Sequence, residues 1–132
     1  KFFFFFVVEA SAKENEDALL KMISNKNADK IGEFSLTDSR HSRITKFMAT
    51  TLFDENMGGK YGNTHIALGN AYKDTYTGNI ATMTGDGWEA MGFNQCPEVH
   101  TDIISTTDRK VTATLPDGQK IVIYENGQFT LV

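Results

Sequence analysis

This chain has little of what staples, breaks or anchors a fold, and each shortage narrows its class. A single cysteine, Cys96, leaves no internal disulfide and fits a reducing compartment, so a cytoplasmic protein is expected. Its thiol reads as a buried or incidental group. With only two prolines there is no proline-rich linker, and no internal repeat divides the sequence. The longest apolar run, Phe2 to Val8, has seven residues. A membrane-spanning helix needs ~20, so no membrane partner is expected. Basic residues are short as well: 13 Lys and Arg stand against 17 Asp and Glu, for a net charge of −4 without any basic cluster. That balance argues against nucleic acid or an anionic membrane surface as the main partner. What remains is 132 residues, 40% of them hydrophobic, enough for one domain over 1–132 with a real core.

The chain opens on its oddest stretch. Five of the ten phenylalanines stand together at Phe2 to Phe6, followed by Val7 and Val8. Lys1, this run and Ala10-Ser11-Ala12 imitate a leader peptide, but the segment is too short for one. A strand buried in a sheet is the expected form. No methionine opens the sequence, so a fragment of a longer protein is expected. Glu14 to Ser24 reads as a helix, with an apolar stripe of Leu19, Leu20, Met22 and Ile23 and acidic residues in its first turn. Ile31 to Leu36 is a strand running into a polar loop at Asp38 to His41. Ile44 to Phe53 fits helix or strand. Gly58 to Asn63 reads as a flexible loop because its glycines resist regular structure. Thr64 to Gly69 is a short strand or turn, and Lys73 to Pro97 reads mostly as loop. The last third is strand-rich: Val99 to Ser105, Val111 to Leu115 and Lys120 to Glu125, with Pro116-Asp117-Gly118 turning the last two into a hairpin. A second turn at Glu125 to Gln128 leads into Phe129 to Val132. The expected class is α+β, a strand-dominated single domain with antiparallel C-terminal hairpins and one or two helices.

Residues able to do chemistry are few. On a strand His100 and Asp102 point to the same face, because side chains alternate. An imidazole beside a carboxylate suits zinc and its neighbours. A solvent face carrying Glu98, His100 and Asp102 would look the same. His65 opens the apolar segment Ile66-Ala67-Leu68-Gly69, where a hydrogen-bonded core histidine is the ordinary occupant. Glu33 alternates with Phe34 and Leu36 as an exposed-face residue would. Glu55 reads as a loop carboxylate and Tyr72 as a boundary aromatic.

Their order changes the reading. Glu33 in Gly-Glu-Phe-Ser-Leu, Glu55 in Leu-Phe-Asp-Glu-Asn, His65-Ile-Ala-Leu-Gly-Asn-Ala-Tyr72 and then His100-Thr-Asp102 resemble the metal-site sequence of the thermophilic metalloaminopeptidases. The resemblance runs from Val8-Glu9-Ala10 into the final hairpin. It implies that Glu33, Glu55, His65, His100 and Asp102 hold two divalent metal ions (zinc, cobalt, manganese or magnesium), with Tyr72 assisting catalysis. It also implies hydrolysis of peptides with a free N-terminus through a metal-activated water. The segment would be the C-terminal metal-binding part of the catalytic domain. That family draws a further glutamate ligand from preceding sequence, so little activity is expected of the segment alone. A homodimer is expected to cover the apolar run at Phe2 to Val8. The alternative is a non-catalytic β-rich binding or assembly module. Convergence of Glu33, His65, His100 and Asp102 separates the two.

Overall fold

The structure, a computed structural model, describes residues 1–131. Its aromatic start is not the buried strand that the composition suggests. Phe2–Phe3 (β1) and Phe6–Val7 (β2) pair antiparallel as a tiny hairpin, Phe2 opposite Val7 and Phe3 opposite Phe6. The reversal falls at Phe4, whose φ of 52° is uncommon for a residue with a side chain. Phe4 and Phe5 at the tip are 79% and 68% exposed. A run of seven apolar residues has no polar face, so a single strand would need cover on both sides. Here the chain turns back instead. The hairpin docks through Val7 N–H on Asp29 O at 2.8 Å and Ile31 N–H on Phe5 O at 2.9 Å.

The chain divides into two compact units, Lys1–Phe34 with Ile66–Ile103, and Ser35–His65 with the stretch from Ile104 onward. In the first unit, the expected helix occupies Glu16–Ile23 (α1). It starts late because Asn15 sits in the left-handed region, and Asn25 closes it by donating to Met22 O at 2.8 Å. Met22 packs on a core of Ala28, Cys96 and Val99, so the lone thiol is a fully buried filler. The expected loop between Lys73 and Pro97 contains a 3₁₀ turn, Ile80–Thr82, and a short helix, Gly85–Ala90 (α2). Two glycines in six residues hide that helix from propensity reasoning. Thr84 caps it by accepting from Gly87 N–H at 3.2 Å. Its Trp88, 4% exposed, meets Tyr76 and Phe93 edge-on.

In the second unit, Lys110–Thr114 (β6), Lys120–Glu125 (β7) and Gln128–Phe129 (β8) form an antiparallel sheet in that order. β8 is shorter than expected, and Val132 of the expected strand lies outside the described residues. Tyr124 on β7 is fully buried, with its hydroxyl 2.8 Å from Thr37 O and 3.0 Å from Tyr61 O. Burial raises its pKa. Gly62, at φ 60°, passes so close to that hydroxyl that a Cβ would collide with it. Of Ile44 to Phe53, only the end is regular, in the short helix Thr51–Asp54.

Three remaining strands make one sheet, in the order β3 (Ile31–Thr37), β4 (Asn63–Gly69), β5 (His100–Ser105). Strands dominate throughout, and the fold class is α+β. No helix among the described residues is long and apolar enough to cross a membrane.

Candidate metal centre

The sheet β3-β4-β5 carries the residues singled out from the sequence. On β3 the ordinary pattern is inverted: Glu33 is partly buried, with its side chain 32% exposed, while its neighbour Phe34 is 52% exposed. On β5, His100 and Asp102 share the covered face and Thr101 between them is exposed, as the two-residue period requires. Nε2 of His100 lies 3.5 Å from Glu33 Oε2 and 3.7 Å from Asp102 Oδ1. Both distances exceed an ordinary N–H···O bond.

The other nitrogen of that ring explains why. His100 Nδ1 is 2.7 Å from the backbone oxygen of Asn70. A carbonyl only accepts, so Nδ1 carries the proton, and in the neutral ring Nε2 presents a lone pair. His65 is arranged alike: 3% exposed, it sets Nδ1 3.1 Å from the backbone oxygen of Glu55. Each imidazole is thereby held in the tautomer that offers Nε2 as a ligand, the usual outer support of metal-binding histidines.

Asp102 supplies the test of fit. Its side chain is 8% exposed, and Oδ1 is buried without a hydrogen-bond partner. A buried carboxylate oxygen left this way costs stability unless a cation answers it. Glu33, His65 and Asp102 each offer one ligand atom, and these three atoms lie within 4.8 Å of one another. Carboxylates with neutral imidazoles form a donor set for zinc, manganese, cobalt or magnesium, so the residues fit a divalent ion. Glu55, just after the short helix, meets His65 through its main chain, and its carboxylate Oε1 accepts from Asn56 at 3.4 Å. Tyr72 is 59% exposed, with its ring centroid 4.5 Å from that of His100.

Sequence reasoning missed the parts that hold His100. The turn Gly69-Asn70-Ala71 brings the Asn70 carbonyl to the ring. Asn94, 7% exposed, fixes that turn by donating to Gly69 O at 2.6 Å and Asn27 O at 2.8 Å, while its own backbone oxygen accepts from Ala71 at 2.9 Å. Asn70 N–H in turn donates to Val99 O at 2.7 Å. Gly32 lets β3 pass so near that a Cβ there would strike the Gly69 and Asn70 oxygens. A glycine inside a strand is the one signal that could have flagged this approach. The asparagines gave none, because their task is set by where the backbone runs.

Comparison with known proteins identifies the family and the fold. No curated protein matches the chain. Among solved structures, wild-type AmpT from Thermus thermophilus matches with a TM-score of 0.78 and 26% sequence identity, covering 99% of this chain and 31% of that one. The chain thus spans about a third of the length of that protein. The sequence profile of the thermophilic metalloprotease (M29) family matches residues 6–129. The chain belongs to the thermophilic metalloprotease (M29) family.

Proposed function

We propose that this chain is the metal-binding part of a metal-dependent aminopeptidase that releases N-terminal residues from peptides. The observation that carries the reading is Asp102, whose buried, unpartnered Oδ1 lies beside the Nε2 of His100 in a member of a metalloprotease family. In this reading Glu33, Glu55, His65, His100 and Asp102 hold two divalent ions. Such ions supply Lewis acidity and a nucleophilic water near neutral pH.

The protein's own groups do the remaining work. The two histidines arrive with ring and tautomer already set by Glu55 O and Asn70 O. The three carboxylates offset the cationic charge and keep the site near neutrality. Tyr72, exposed beside the His100 ring, donates its hydroxyl to the oxyanion that develops on the scissile carbonyl, a contribution worth about 100-fold in rate. Five donors are few for two ions, so the segment alone hydrolyses peptides poorly and a longer chain completes the site. A second copy covering the exposed Phe3 to Phe6 hairpin, as a homodimer, and a cytoplasmic location complete the reading.

The test is metal content. After dialysis against metal-free buffer, elemental mass spectrometry of the chain, loaded separately with zinc, cobalt and manganese, is expected to find bound metal that His100→Ala loses. Equal metal in wild type and His100→Ala, or none in either, would sink the reading.

A further inference from the structure

Glu55 leaves the helix Thr51–Asp54 at its C-terminal end, where the last carbonyls have no partner within the helix. Each finds a donor elsewhere. Asn56 covers two, its side chain donating to Leu52 O at 3.0 Å and its main chain to Phe53 O at 3.1 Å. The next two are taken by β4. Asn63 Nδ2 donates to Asp54 O at 2.8 Å, a shorter bond than the 3.3 Å from Met57 N–H to the same oxygen. His65 Nδ1 lies 3.1 Å from Glu55 O. Residues two apart on a strand point the same way, so Asn63 and His65 grip consecutive carbonyls from one face of β4.

The grip is fixed from both sides. Asn63 is fully buried, and the carbonyl of nearby Tyr61 accepts from the Tyr124 hydroxyl at 3.0 Å and from Arg109 Nη1 at 3.2 Å. On the helix side, the Asp54 carboxylate accepts from Met48 N–H at 2.7 Å and Thr50 N–H at 3.1 Å. The stretch between Glu55 and His65, whose glycines mark it as flexible, is thus pinned at each end.

Stability alone does not account for Asn63. Its Oδ1 is buried without a hydrogen-bond partner. Leaving a buried acceptor unsatisfied costs as much as a typical hydrogen bond contributes, or more. An apolar side chain at this position would remove the bond and the orphaned oxygen together, and Asp54 O would keep Met57 N–H. We infer that Asn63 is a positioning residue for Glu55, fixing the backbone from which that proposed ligand projects. The inference rests on the metal reading above and adds to it a residue that acts through the main chain.

The experiment is a double-mutant cycle, read by calorimetric titration with manganese and by scanning calorimetry in chelator. Asn63→Leu and Asn63→Ala should each lower manganese affinity about tenfold, as loss of an outer support does, while Tm in chelator falls by no more than about 8 °C. In a Glu55→Gln background the same substitutions should cost less than about twofold, because the group they act through is already gone. An equal loss in both backgrounds, undiminished affinity in both variants, or failure of both to fold would overturn the inference. Amide hydrogen exchange in chelator separates it from the metal reading. Suppose wild type and Glu55→Gln bind manganese equally, or not at all, while exchange over residues 53–56 is faster in Asn63→Leu. The ligand reading of Glu55 then fails and the clamp stands. Unchanged exchange removes the clamp, whatever the metal does.

Discussion

Asp102→Asn should produce two effects of opposite sign. Without metal, the buried Oδ1 has no hydrogen-bond partner and the side chain is 8% exposed. Leaving such a group unsatisfied costs about 1–3 kcal/mol. The amide keeps the shape, removes the charge and adds donors near Glu33 and His100. The metal-free variant should therefore be as stable as wild type or more stable by about 1 kcal/mol, which for a chain of this size is a rise of about 4 °C in Tm. With metal the order reverses. At 100 times its Kd a ligand stabilises the folded state by about 2.7 kcal/mol, or about 10 °C here. If loss of the carboxylate weakens metal binding about 100-fold, the same concentration gives only about 0.4 kcal/mol, or about 2 °C. The assay is differential scanning calorimetry of both proteins in chelator and in manganese or cobalt. A variant that is less stable than wild type in chelator, yet keeps the full metal-induced shift, would show that Asp102 is a structural acceptor and refute the reasoning.

Three further outcomes are expected. Gly32→Ala forces a methyl against the Gly69 and Asn70 oxygens and displaces the acceptor of His100, so metal affinity by calorimetric titration should fall about tenfold or more. Tyr72→Phe should leave the metal-induced shift unchanged and, in a chain with measurable turnover, lower it about 100-fold against aminoacyl chromogenic substrates. Asp38 is 4% exposed, and the Arg40 side chain bonded to it holds its carboxyl well below the usual range, aided by the backbone N–H groups of Phe129 and Arg40. A lowered folded-state pKa gives stability that is complete above the ordinary carboxylate value near ~4 and is lost as pH falls through the folded value. Asp38→Asn should thus cost about 2–3 kcal/mol at neutral pH, and denaturant titrations should show the gap closing only in acid below about pH 4.

The sequence was most readable where period and turn chemistry agreed. The strand carrying His100 and Asp102, the strand at Lys120 to Glu125 and the turn at Pro116 to Gly118 follow from alternation and turn residues alone. Illegibility had specific causes. The phenylalanine run has no period, so nothing in it marked the reversal at Phe4. The helix at Gly85–Ala90 exists because Trp88 is buried against Phe93 and Tyr76, a tertiary gain that overrides its two glycines. The candidate ligands could be named from residue type and order. Their outer support could not, because Glu55 and Asn70 act on the two histidines through backbone oxygens, which every residue has. Glu33 looked like an exposed-face residue because alternation with Phe34 and Leu36 says which residues share a face, and the usual rule that the apolar face is the covered one is reversed here.

That both imidazoles are held by main-chain oxygens bears on how this site withstands sequence drift. A ring steered by an aspartate or a serine is lost when that side chain mutates. The orientation of a ring steered by the carbonyl of residue 55 or 70 survives any substitution there that keeps the backbone path, although at position 55 the side chain is itself a proposed ligand. Vulnerability moves to the positions that set the path, Gly32 and Gly69, where added atoms would collide with backbone. A saturation library should therefore tolerate broad replacement of the Asn70 side chain and almost none at the two glycines. The orientation of the two rings is written in chain geometry.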